Sequence, residues 1–120
     1  MAKSVSNDVL DAALGEIATS TRLVVCSGEP ANFAGIAAVT LASVTVDGAD
    51  FTIADGTTSG RKTTVAEQAA VSITASGDAD HTVLDDGTTL LYGTTAPTQT
   101  LTSGGTLTVA QWSVEIADPS

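Results

Sequence analysis

A chain of 120 residues, 42% of them hydrophobic, has the size of one domain with one core, can fold without metals or disulfides, and leaves no room for a multidomain enzyme. Fourteen acidic residues against four basic ones give a net charge of −10 and a pI near 4.1. Such a surface repels phosphate backbones and anionic membranes, so no nucleic acid and no membrane are expected as partners, and the single cysteine, Cys26, excludes an internal disulfide framework.

The opening residues MAKSVSND lead into further polar groups without the apolar stretch of a secretory signal. The expectation is a chain made in a cytoplasm. One helix is predicted near the start: Leu10, Ala13, Leu14 and Ile17 recur at i, i+3, i+4 and i+7, with Asp11 and Glu16 off that face. Ser6 is placed to cap it, Val5 and Leu10 have the spacing of a hydrophobic staple, and Asp8 falls in the first turn. An amphipathic helix this short must bury its stripe on something, either its own sheet or a neighbouring subunit.

Beyond Ser20 the period changes from 3.6 to 2, and threonine, valine, alanine and glycine dominate. Strands are expected at 22–27, 38–46, 50–54, 62–66, 71–75, 81–84, 89–93, 98–102 and 107–116. In the last, Trp112, Val114 and Ile116 point one way and Ser113 and Glu115 the other. Val39 and Leu41 are out of phase with Val44 and Val46, which predicts a bulge near Ala42 and Ser43. Asp47-Gly48, Asp55-Gly56, Gly77-Asp78, Asp86-Gly87 and Gly104-Gly105 are turn dipeptides. Residues 28–35, with Pro30, Asn32 and Phe33, read as a surface loop. The predicted class is mainly β: an antiparallel β-sandwich or jelly-roll-like domain with one N-terminal amphipathic helix. Residues 1–20 form the helical arm, 21–116 the sandwich and 117–120 a short tail.

Catalytic and metal signatures are weak. The segment 56–63, GTTSGRKT, imitates a phosphate-binding loop, but three residues rather than four separate its glycines and Arg61 stands where the lysine belongs. It reads instead as a hairpin loop whose Arg61 and Lys62 are available to an acidic patch on another subunit. Asp78, Asp80, Asp85 and Asp86 lack the glycine and bidentate glutamate of a calcium loop and read as turn formers. Only Phe33, Phe51, Tyr92 and Trp112 could offer a sugar platform, too few for a glycosidase cleft. His81 stands alone without metal-ligand spacing, Cys26 lies in the apolar run Leu23-Val24-Val25-Cys26, and Trp112 reads as a core anchor. No nucleophile elbow is present. No cofactor, metal or catalytic residue is assigned.

The stretch 51–118 carries the turn Ser59-Gly60-Arg61-Lys62, the strand entry Gly77-Asp78-Ala79-Asp80-His81, Leu90-Leu91-Tyr92 and the closing Trp112-Ser113-Val114-Glu115-Ile116, and with the start, from MAKSVSNDVLDAAL through RLVVCSGEP, it takes in nearly the full chain. In this order they resemble small structural proteins of tailed bacteriophages and prophages. The resemblance implies a non-enzymatic virion component. The first expectation is a capsid decoration or cement protein bound to the major capsid protein as a homo-oligomer, with the threefold symmetry that capsid lattices suggest. Leu10, Leu14, Ile17, Arg61 and Lys62 are its expected assembly residues. A neck, tail or fibre component, displaying the 28–35 loop to a receptor, is the alternative within that class. A carbohydrate-binding or adhesive β-module is the alternative outside it.

Overall fold

The computed structural model describes residues 5–117. Helix α1 spans Asn7–Ile17, and the Ser6 hydroxyl accepts the Asp8 N–H at 3.0 Å, as its position in the sequence predicts. At the other end Thr19 and Ser20 donate their hydroxyls to the Glu16 and Ile17 carbonyls, both at 2.6 Å, satisfying acceptors that the helix leaves free. Nine strands follow among the described residues: β1 (Arg22–Cys26), β2 (Thr40–Thr45), β3 (Phe51–Asp55), β4 (Arg61–Val65), β5 (Gln68–Ser72), β6 (Gly77–Asp85), β7 (Leu90–Leu101), β8 (Thr106–Val109) and β9 (Trp112–Ile116). A one-turn helix, α2 (Ile36–Val39), precedes β2.

All strand pairs are antiparallel, in a four-stranded sheet of order β2-β1-β6-β7, a three-stranded sheet β3-β4-β9 and a two-stranded ribbon β5-β8. The expected class therefore holds: the chain is mainly β and antiparallel, with an N-terminal amphipathic helix. The ribbon is joined to the large sheet through an Ala42–Ile73 bridge. The predicted bulge lies one residue early, at Leu41, since Val25 faces Ala42 while Cys26 faces Thr40. The Leu41 carbonyl is turned out of the β1 ladder and accepts the Thr74 and Ala75 N–H groups at 2.8 and 3.2 Å.

Several expected elements change. The two strands at 89–93 and 98–102 are one strand, β7, which bulges against β6 around Pro97: Ala79 faces Gln99, and His81 faces Thr95. A proline is tolerated there because β7 is a sheet edge. The strand expected over 107–116 divides at Ala110-Gln111, and its halves join different sheets. Gly77-Asp78 lies inside β6 rather than in a turn, and the first residues of the strand expected at 38–46 belong to α2. Asp47-Gly48 makes no two-residue hairpin. It starts a 3-10 turn closed by a reciprocal capping box between Asp47 and Asp50, which carries the chain from the large sheet to the three-stranded one.

The run 23–26 is buried because the large sheet is covered on both faces. Leu23 and Val25 enter the main core with Leu41, Phe51, Val65, Val71, Ile73 and Leu84, whereas Val24, Cys26 and Val83 meet Ile36, Phe33 and Val39 on the other side. The segment expected as a surface loop is thus a folded cover, with its own 3-10 turn at Phe33–Gly35 capped by Asn32. On the three-stranded sheet, Phe51, Val65 and Val114 are buried while Thr52, Ser113 and Glu115 are exposed, the one wet face that the alternation predicts.

Helix α1 lies against β3, β4 and β7 of its own chain. Leu10 is 6% exposed and Leu14 fully buried, so the expectation that they form an assembly surface is corrected: the stripe belongs to the core of the subunit. Ile17 is half-buried against the same core, and Ala13, expected on the buried face, is exposed. Of the tail expected at 117–120, all but Ala117 lies outside the described residues.

Candidate functional site

The charged side chains singled out by the sequence are engaged within the chain. Arg61 donates to Asp11 of α1 at 2.8 Å and to Asp55 across the β3–β4 hairpin at 2.7 Å. The guanidinium, with 19% of its side chain exposed, ties the helix to the hairpin. Lys62 points to the other face of β4, partly exposed, and donates to the Thr57 hydroxyl at 3.2 Å. The loop 56–60 that imitates a phosphate cradle connects two antiparallel strands and has no helix after it. Its glycines are required by close packing. A Cβ on Gly60, at φ +70°, would stand 1.9 Å from the Ile116 carbonyl oxygen, and one on Gly56 would stand 2.0 Å from that of Ser59. Glu115 accepts the Thr57 N–H and pins the loop to β9.

The four clustered aspartates do not converge. Asp78 accepts from the Thr100 hydroxyl, and Asp86 accepts the Thr88 and Thr89 N–H groups in the β6–β7 turn. Asp85, with 1% of its side chain exposed, accepts from Arg22 at 2.9 Å and from the Gly87 N–H at 3.0 Å. Asp80 accepts the Gly28 N–H at 2.7 Å and lies 2.7 Å from His81 Nδ1. The hydrogen bond with His81 holds the Asp80 carboxyl below the ordinary range, and the Thr88 and Thr89 amides do the same for Asp86. Among the described residues no group of three or more His, Cys, Asp or Glu side chains is arranged to hold a metal ion. Cys26 faces His81 across β1 and β6, but burial pushes its thiol up to about 11, the wrong direction for a nucleophile.

A cleft of about 510 Å³ lies between the large sheet and strands β8 and β9, with Val25 of β1 and Ala79, His81 and Thr82 of β6 along its floor. Thr94, Thr95, Ala96, Pro97 and Gln99 of β7 form one wall. Leu107, Thr108 and Val109 of β8, with Trp112 at the start of β9, form the other. Trp112 stacks on Tyr92 with ring centroids 5.9 Å apart, joining the two sheets as a core anchor would. The walls have a common origin in the sequence. From residue 87 to residue 114 the chain contains no Asp, Glu, Lys, Arg or His, although all fourteen carboxylates are distributed over the remainder. Reading the motifs singly misses this stretch; plotting charge along the chain finds it.

No helix among the described residues is long and apolar enough to cross a membrane. Comparison of the chain with protein-family models, with curated proteins and with solved structures finds no match.

Proposed function

We propose that this chain is a non-enzymatic structural protein of a bacteriophage particle, a decoration or cement protein that binds the outer capsid shell as a small homo-oligomer. One observation carries the reading: the side chains able to do chemistry are engaged in holding the fold together. Arg61 joins α1 to the β3–β4 hairpin, Arg22 and Asp85 lock β1 to β6, and Asp80 ties Gly28, two residues beyond β1, to β6. A protein that works by shape needs such internal fastening and leaves its outer surface for neighbours. The net charge of −10 fits a particle exterior and fits a DNA-facing interior badly. The resemblance of the 59–62, 77–81, 90–92 and 112–116 segments to phage structural proteins points the same way.

The test is to mix purified protein with particles that lack it. Hundreds of bound copies per particle, counted by mass spectrometry, are expected for a decoration protein. A dozen or fewer would transfer the assignment to the neck or tail, and no binding to any particle, together with binding on a glycan array, would replace it with an adhesive module.

A further inference from the structure

We infer that the charge-free walls of the cleft and the free edge of β7 form the surface through which copies of this chain meet, with a second copy as the occupant. The inference rests on the homo-oligomer reading above and names the surface responsible. Three observations carry it. First, two molecules each bearing a charge of −10 repel at close range unless the faces that touch are poor in carboxylates, and residues 87–114 contribute none to such a face, the exposed Asp78 beside Thr100 marking its margin. Second, among the described residues β7 and β8 each have a strand partner on one side only, although residues 102–105 join them directly. Their unpaired backbone N–H and C=O groups are a template for strand pairing, and most of β7 between residues 93 and 100 is exposed. Third, Leu107, Val109 and Trp112 stay only partly buried within the subunit, which leaves apolar area for a partner to cover.

The Pro97 bulge divides the β7 edge into two short stretches. Pairing is thereby confined to a few residues at a time. This favours a limited, closed contact over indefinite sheet extension.

The test uses the full chain. In sedimentation velocity the wild type is expected above the monomer mass of 11.9 kDa. Thr95→Glu and Thr108→Glu, which place carboxylates on the two walls, are expected to weaken association at least tenfold with an unchanged circular dichroism spectrum. Ala38→Glu, on the cover at the opposite face of the large sheet, is expected to leave it unchanged. A monomeric wild type, or wall variants that keep the wild-type mass, would overturn the inference. Should a wall variant fail to fold, amide exchange of the wild type decides: residues 93–100, Pro97 aside, gain protection as concentration rises, and protection independent of concentration overturns the inference. Particle binding is scored separately. A wild type that self-associates through these walls but ignores particles removes the decoration reading alone, and one that decorates particles as a monomer removes this inference and the homo-oligomer part of that reading while leaving decoration standing.

Discussion

Thr63 sits at the centre of the three-stranded sheet with no exposed surface, between Ile53 on β3 and Val114 on β9, and its hydroxyl has no hydrogen-bond partner among the described residues. A buried hydroxyl without a partner costs roughly 1–3 kcal/mol. Thr63→Val keeps the β-branched shape and removes the orphan oxygen, so it is expected to raise unfolding free energy by about 1 kcal/mol or more in urea titration. Ala70 offers a second gain. It is exposed, in the irregular stretch of β5 opposite β8, and adopts φ +54°, where an L residue is strained by roughly 1–2 kcal/mol. Ala70→Gly loses roughly 0.5–1 kcal/mol to backbone entropy, leaving a net stabilisation of about 0.5 kcal/mol, readable as a higher urea midpoint. Neither position can be recognised from sequence. Threonine alternates correctly along β4, and alanine is not the residue that announces a positive φ.

At the level of elements, legibility follows how local the cause is. Helix α1, its Ser6 cap and the strands β1, β3 and β4 are readable because the period and the capping residue lie within the element itself. The boundaries of β7, β8 and β9 are not, since what splits 107–116 is the assignment of its halves to different sheets, a tertiary choice that alternation does not encode. The same limit governs the helix stripe: Leu10 and Leu14 are visibly amphipathic, but the sequence does not say whose surface they cover. Magnitudes settle what holds α1 in place. Truncating a buried leucine costs roughly 2–5 kcal/mol, whereas the Arg61 pairs reach carboxylates that are one-third exposed in Asp11 and mostly exposed in Asp55, where solvent screens them. Leu14→Ala is therefore expected to lower stability far more than Arg61→Met in thermal melts, and Leu10→Asp combined with Leu14→Asp to abolish the β-sheet circular dichroism signal.

For the molecule as a whole, charge is the dominant long-range term. Fourteen carboxylates against four cations, spread over a body of 54 × 26 × 24 Å, leave far more repulsion than the internal ion pairs offset. Raising salt from about 0.01 M to 1 M shortens the screening length from roughly 30 Å to 3 Å, so the urea midpoint is expected to rise with sodium chloride. A fold held chiefly by surface ion pairs would show the opposite slope. The sequence holds the uncharged stretch 87–114, but the cleft requires the fold, because residues 94–99 and 107–112 become opposing surfaces only once β7 and β8 diverge. The double cover on the large sheet has its own consequence. β1 has a strand on each side, the main core on one face and the 28–39 segment on the other, so solvent has no partial route to Cys26. The lone thiol is a built-in reporter: at pH 8 a disulfide reagent is expected to modify it at the rate of global opening, and any faster labelling would mark the cover as separately hinged.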